Sequence, residues 1–239
     1  MRSPVELWVY LSASPLIWLT MTLCTWIAAS EMSARLGRRP LASPVLNSIL
    51  ILSTTLWLFD VPYERFFAGA QFVHFLLGPA TVAIAVPLWR QWDEVRRALL
   101  PIAAALIVGS LVAVGSVLLL GHAVGLSREV LLSFLPKSAT AGVAMAISEA
   151  LGGNPSLTAV LVILTGIFGA LIVTPLMNAM RITDYAARGF AAGLTSHGIG
   201  TARAYDVDPT AGLFAGIAMA LNAVATAVLV PLIARLLLE

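Results

Sequence analysis

Long charge-free stretches alternate with short charged loops along this chain. Leu7–Ser30, Pro40–Phe59, Phe66–Trp89, Ala98–Ser127, Ala150–Met180 and Pro209–Ala234 contain no Asp, Glu, Lys or Arg. A helix needs roughly 20 apolar residues to cross the ~30 Å hydrocarbon core of a bilayer, and each stretch is long enough. Leu7–Ser30 exceeds the ~7–15-residue apolar core of a secretory signal, so it reads as a retained helix. Two further segments are apolar but interrupted. Glu129–Gly153 carries Lys137 and Glu149, and Tyr185–Tyr205 carries Arg188, His197 and Arg203. The pattern predicts an all-α polytopic membrane protein of about seven to eight segments.

Three of these segments contain helix-breaking chemistry: Gly78-Pro79, Pro136-Lys137, and the run Ser196-His197-Gly198-Ile199-Gly200. Proline lacks an N–H and glycine is a poor helix former. In lipid each freed backbone group costs several kcal/mol, so broken helices persist only where protein or a water-filled cavity surrounds them. Three breaks in one small protein predict a lined cavity; the alternative is three kinked packing helices.

Composition narrows the class. Of 239 residues, 59% are hydrophobic and 11% charged, against about 25% charge in soluble domains. With a mean hydropathy of +0.94, this excludes a soluble globule, a disordered chain and a coiled coil, and fits a single membrane domain spanning 1–239. The net charge of +2 is spread over short loops, so no nucleic-acid partner is expected. The one cysteine, Cys24, reads as a packing residue, without a disulfide or a Cys-based metal cluster. Hydrolase, phosphate-loop and metalloprotease signatures are absent from the sequence, so neither an enzyme nor a cofactor or metal is expected. All six tryptophans lie in the first 92 residues, and 11 of the 18 glycines lie from Lys137 onward. That asymmetry predicts a lipid-facing half, 1–128, and a closely packed half, 129–239, with the main functional breaks.

The loops Glu31–Arg39 and Arg90–Arg97 are rich in arginine and are cytoplasmic by the positive-inside rule. If every later segment crosses, Arg181 and Arg188 fall outside and the bias inverts. A re-entrant hairpin at Glu129–Gly153, with Pro136-Lys137 near its tip, restores it. Asn154 is then outside, and Tyr185–Tyr205 crosses to leave Asp206 and Asp208 outside. An echo between the run from Phe66 and the run from Gly189 aligns Phe67, Ala68 and His74 with Phe190, Ala191 and His197. A second joins the run from Phe75 to that from Phe134. Together they suggest an inverted repeat, as in many secondary transporters.

Lys137 lies about 12 Å into its segment at 1.5 Å per residue, near the midplane, where a lysine costs about 2.5–3.5 kcal/mol. With Ser138 and Thr140 opening a new helix after Pro136, it is a candidate anion site; alternatively it pairs with Glu149 and only holds the fold. His197 sits at similar depth, flanked by Ser196, Gly198, Gly200 and Thr201, where hydroxyls and exposed backbone meet a group able to carry a proton. Glu149 is a second proton-coupling candidate. Arg203 lies nearer its segment's end.

The stretches from Leu135 ("LPKSATAGVAMAISEALGGNPSLTAV"), from Gly193 ("GLTSHGIGTARAYDVD") and from Tyr63 ("YERFFAGAQFVHFLLGPATVAIA") resemble the LrgB/CidB family. That family includes the LrgB-like half of the plastidial glycolate/glycerate translocator and bacterial antiholin-like regulators of murein hydrolases, often found beside a small LrgA/CidA-type partner. The resemblance is carried by Pro136, Lys137, Ser138, Thr140, Ser148, Glu149, Ser196, His197, Gly198, Gly200, Thr201 and Arg203. Ala146 and Gly142 depart from it, where a second carboxylate and a proline are common. The resemblance and the midplane lysine together predict a secondary transporter of small monocarboxylates or 2-hydroxy acids. Lys137, Ser138, Thr140, Ser196, His197, Gly198, Gly200, Thr201 and Arg203 would contact the substrate, and His197 or Glu149 would couple a proton. The rival is a holin-like regulator of lysis acting through an LrgA/CidA-type partner. Either would reside in the inner membrane, with a homodimer as the expected assembly.

Overall fold

The computed structural model describes residues 14–76 and 92–238, with Pro79 and Trp89 between them. The described residues are helical and contain no strand. Gly78 of the Gly78-Pro79 break lies outside them, and the echoes from Phe66 and Phe75 run into residues outside them. The chain divides into two compact units, 1–85 and 86–239.

In the first unit, α1 (Pro15–Arg35), a 3-10 turn (Pro40–Ala42), α2 (Pro44–Leu58) and α3 (Tyr63–Phe75) pack together. A proline opens α1 and α2, where its missing N–H costs nothing and its fixed φ suits the first turn. Trp18 is fully buried and meets the Phe66 ring edge-on at 6.2 Å. The α1 backbone at Pro15 lies where a β-carbon at Gly69 would stand, so α3 approaches α1 only because that position is glycine.

The second unit is built on α4 (Trp92–Arg97), α5 (Leu99–Ala123), α6 (Arg128–Phe134), α7 (Ala141–Leu151), α8 (Pro155–Ala179), α9 (Tyr185–Val207) and α10 (Pro209–Leu238). Among the described residues, α5, α8 and α10 are the three helices long and apolar enough to cross a membrane. Their outer faces expose Ile107, Leu111, Leu119, Val160, Leu164, Phe168, Val224, Val228 and Leu232, a surface that needs lipid or another apolar partner to cover it. Polar caps mark the helix starts. The Asn154 side chain accepts from the Leu157 N–H at 3.0 Å, Asp184 from Ala186 at 2.7 Å, and Asp208 from Thr210 at 2.7 Å. Each satisfies first-turn donors that have no partner within the helix.

Contacts along these helices give their directions. The start of α5 (Pro101, Ile102, Ala105) faces the start of α9 (Ala186, Phe190) and Phe214 of α10. The later part of α5 (Val114, Val117) packs with Leu131 and Leu132 of α6 and with Val230 and Ala234 of α10. Thus α5 and α10 run the same way. One end of the frame carries Asn154, where α8 begins, and the other carries Asp184, after α8 has ended.

Two hairpins enter this frame, one from each end. The first comprises α6, the non-helical stretch 135–140, and α7. The Thr158 hydroxyl lies 3.1 Å from the Ser133 carbonyl on one arm and 2.8 Å from the Ser148 hydroxyl on the other. The Asn154 N–H donates to the Ser133 hydroxyl at 2.8 Å. Both arms are therefore pinned to the first turn of α8. The returning arm stops at Gly152, at φ +84°, where the Gly153 N–H closes onto the Ser148 carbonyl at 2.8 Å. A left-handed glycine ending a helix this way satisfies its last carbonyls.

The second hairpin is α9 itself. Ser196 (φ −127°, ψ 16°) and His197 (φ 41°, ψ −134°) leave helical geometry, and the chain doubles back. A β-carbon at Gly200 would collide with the Ala192 carbonyl, although eight residues of straight helix rise about 12 Å. Before the turn, Gly189 and Gly193 press against the backbone at Ala211 and Ala215 in ascending order; after it, Tyr205 lies over Gly212 and Thr201 reaches Met219. The first half of α9 is parallel to α10 and the second antiparallel. Arg188, near its start, and Arg203 and Val207, near its end, border one small cavity with Val173 and Thr174. This corrects the expectation that Tyr185–Tyr205 crosses. Asp206 and Asp208 share an end of the frame with Arg188, opposite Asn154. A glycine-rich run announces a break but not its angle, and the reversal depends on a positive φ at His197, which is not a glycine.

Single cysteines at positions 154 and 206, in a Cys24→Ser background, are expected to react with an impermeant thiol reagent from opposite faces of sealed vesicles. Labelling of both from one face would mean that α9 crosses.

Candidate functional site

The tips of the two hairpins meet halfway along the frame, at a buried side-chain amide. Asn222, on α10, is 2% exposed. Its Nδ2 donates to the Ser138 carbonyl of the first tip and to the Leu194 carbonyl of the second, both at 3.1 Å. Its Oδ1 accepts from Ser110 of α5 at 3.1 Å and from Thr226 one turn along α10 at 3.4 Å. The two donors and both acceptor positions of the amide are thus engaged.

A second junction forms on α8. Ala139, Ala141 and Ala144 of the first hairpin pack on Val162, whose carbonyl lies 2.9 Å from His197 Nε2. A carbonyl only accepts, so Nε2 carries the proton and, in the neutral ring, Nδ1 is an acceptor. The second tip fits against α8 because two positions there lack a β-carbon. At Gly166 one would meet the His197 ring, and at Gly169 the Ser196 hydroxyl. Thr201 donates to the His197 carbonyl at 2.8 Å, closing the first turn after the break.

Helix starts therefore converge on the centre. Thr140 is the N-cap of α7, in extended geometry and without a side-chain cap bond. The second half of α9 begins after His197. A β-carbon added at Gly142 would have no neighbouring atom within 4 Å, and one added at Gly198 would meet only the Met219 sulfur, at 3.9 Å. First-turn N–H groups and the positive ends of two helix dipoles at one depth favour an anion there.

Of the residues expected from sequence, Ser138, Thr140, Ser196, His197, Gly198, Gly200 and Thr201 gather at or beside the two tips, and buried Pro136 begins the first. Lys137 stands at the same tip, but its side chain turns to a cavity of about 280 Å³ that it borders with Ser116, Leu120, Val124, Leu126 and Phe134. Glu149 is exposed on the last turn of α7; among the described residues it forms no ion pair with Lys137. Arg203 is buried at the base of the second hairpin, across the small cavity from Arg188, whose guanidinium donates to Asn178 Oδ1 at 2.8 Å. Sequence reasoning missed Asn222, Ser110, Gly166 and Gly169. The signal available for Asn222 was a lone amide in the middle of a charge-free membrane stretch.

An all-helical, multi-pass membrane protein with paired hairpins is the class this architecture defines. The chain belongs to the LrgB-like family, whose model matches residues 22–236. It is 30% identical over 218 residues to a "Holin-like protein CidB" of Staphylococcus aureus, covering 91% of this chain and 95% of that one. It is 33% identical to YxaC of Bacillus subtilis, covering 91% and 94%. It is 30% identical over 192 residues to an "Antiholin-like protein LrgB" of Bacillus mycoides, covering 80% and 84%. No solved structure matches the chain.

Gly169→Val is expected to lower stability in detergent by about 1–3 kcal/mol, the cost of overpacking a close contact, because the added carbons collide with Ser196. Gly142→Ala, which faces open space, is expected to leave the unfolding midpoint unchanged or slightly raised. Thermal melts of the two variants check this, and equal effects would contradict the packing described.

Proposed function

We propose that this protein is a secondary transporter of small monocarboxylates or 2-hydroxy acids in the cytoplasmic membrane. The observation that carries the reading is the meeting of two hairpin tips, from opposite ends of a spanning frame, at the start of two half-helices. Secondary transporters bind substrate near the midplane at broken helices whose N-termini face anionic groups. A carboxylate here would take N–H groups of the first turns of α7 and of the second half of α9, with the hydroxyls of Thr140, Ser196 and Thr201 nearby. Lys137 supplies positive charge at the first tip, and Arg203 supplies it at the base of the second hairpin. His197, whose Nδ1 remains an acceptor, is the group proposed to take the coupled proton, with Glu149 as a second candidate.

We also read the second unit as an inverted repeat. Leu99 and Pro155 open 25-residue helices, and Leu151 and Val207 close the hairpins that follow; an offset of 56 residues separates each pair. The same offset relates Ser138 to Leu194 and Gly142 to Gly198. The helices α5 and α8 run in opposite directions, so the two copies face opposite sides. Such a pair of copies gives one site two equivalent routes, which alternating access requires.

The names of the relatives favour a second reading, a holin-like or antiholin-like membrane protein working with an LrgA/CidA-type partner. A hole would pass solutes without saturation. A carrier saturates, discriminates and shows counterflow. The test is uptake of labelled glycolate, lactate and pyruvate by proteoliposomes holding this chain alone. Saturable uptake of at least one supports the carrier, and equal leakage of an unrelated dye supports the hole.

If the carrier reading holds, Lys137→Ala, which removes a positive charge beside the site rather than a contact within it, is expected to weaken substrate binding by roughly 2–5-fold, the scale of a charge acting at a distance. His197→Gln retains an N–H for the Val162 carbonyl but cannot titrate, so uptake should persist while its pH dependence disappears. Uptake by Lys137→Ala at the parent rate and affinity would remove Lys137 from the site.

A further inference from the structure

The geometry points to Asn222 as the positioning residue that holds both hairpin tips and lets one remain closed while the other moves; this rests on the carrier reading above. Three observations combine. The amide is anchored on the spanning frame through its oxygen, by Ser110 of α5 and Thr226 of α10. Its two N–H groups are divided, one to each hairpin, at the same length of 3.1 Å. The two carbonyls that receive them, at Ser138 and Leu194, stand at corresponding positions of the two copies, 56 residues apart.

An amide is planar and its two N–H groups point in fixed directions. Once its oxygen is held, the nitrogen cannot follow a retracting tip without losing the other. Withdrawal of one hairpin toward the end it enters from therefore breaks one N–H bond and leaves the second in place. Withdrawal of both would strand the two amide donors at midplane depth, where each unpaired group is costly unless water reaches it. A single residue thus biases the protein toward the condition that a carrier needs and a hole does not: the two routes are not open together. Among the described residues, the hydrogen bonds that join the Ser138 and Leu194 carbonyls run through this side chain.

The test uses Gly142→Cys and Thr195→Cys as separate probes in a full-length Cys24→Ser protein, reconstituted in vesicles and exposed to an impermeant maleimide from either face. Gly142 lies in the first turn after the first tip, and Thr195 is exposed just before the second. Each probe is expected to react from one face, Gly142→Cys from that of Asn154 and Thr195→Cys from that of Asp184. Adding Asn222→Leu, which keeps bulk but removes both donors, is expected to raise reaction of each probe from the opposite face roughly 3–20-fold, the range carried by interhelical hydrogen bonds in membranes. A folded Asn222→Leu protein whose probes keep their sidedness and rates overturns the inference. If Asn222→Leu does not fold, the double change Ser110→Ala with Thr226→Val decides: removing both donors to the amide oxygen should shift both probes in the same sense by about threefold, and no shift overturns the inference. A merely structural asparagine would lower the melting point without changing sidedness. Glycolate, lactate and pyruvate are included as protectants. Loss of sidedness without protection by any of them would count against the carrier reading and leave the latch standing; protection with unchanged sidedness would do the reverse.

Discussion

A buried amide with every hydrogen-bonding position engaged sits at the centre of this fold. Lipid offers no substitute for a missing partner, so the four bonds of Asn222 constrain four pieces of chain at once: α5, α10 and the two hairpin tips. Each hydrogen bond between membrane helices contributes about 0.6 kcal/mol on average. The constraint is therefore mainly one of geometry. The alternative to satisfying all four is an unpaired polar group at a depth where little can replace it.

Small residues make that geometry reachable. The second tip approaches α8 because Gly166 and Gly169 leave room for His197 and Ser196. The first half of α9 lies against α10 because Gly189 and Gly193 allow backbone to touch backbone at Ala211 and Ala215. The tight return of α9 needs Gly200 opposite Ala192. In a bilayer, where apolar burial gives little drive for helices to associate, such close packing and polar bonding supply it. The glycine excess after Lys137 is thus the compositional trace of the two hairpins and what they rest on.

Charge is distributed around this centre. Lys137 leans toward α5 and Arg203 toward the base of the second hairpin beside Arg188, while the centre presents helix starts, hydroxyls and an imidazole. In the proposed carrier, an anion would meet positive charge on either side of a neutral, donor-rich waist. Backbone dipoles provide attraction there without a buried full charge, which would bind an anion too firmly to release and would be expensive to desolvate.

Much of this was legible in the chain. The charge-free stretches marked α5, α8 and α10, because hydrophobic length is a local property that a bilayer reads directly. Pro136-Lys137 and the Ser196–Gly200 run marked the two tips, because proline and glycine break helices wherever they stand. The specific residue runs from Leu135 and Gly193 pointed to the family. Tertiary structure decided the rest. Whether α9 crosses or returns depends on two backbone angles at His197 and on whether the second half can pack against the first. Which side of a tip Lys137 faces depends on the neighbours that α5 and α6 offer it. Asn222 carries no pattern of its own, since a single polar residue in a membrane helix acquires its role only from the carbonyls that other segments bring to it. Local chemistry announces where a chain must bend, but partners distant in sequence determine how far it bends and what it meets.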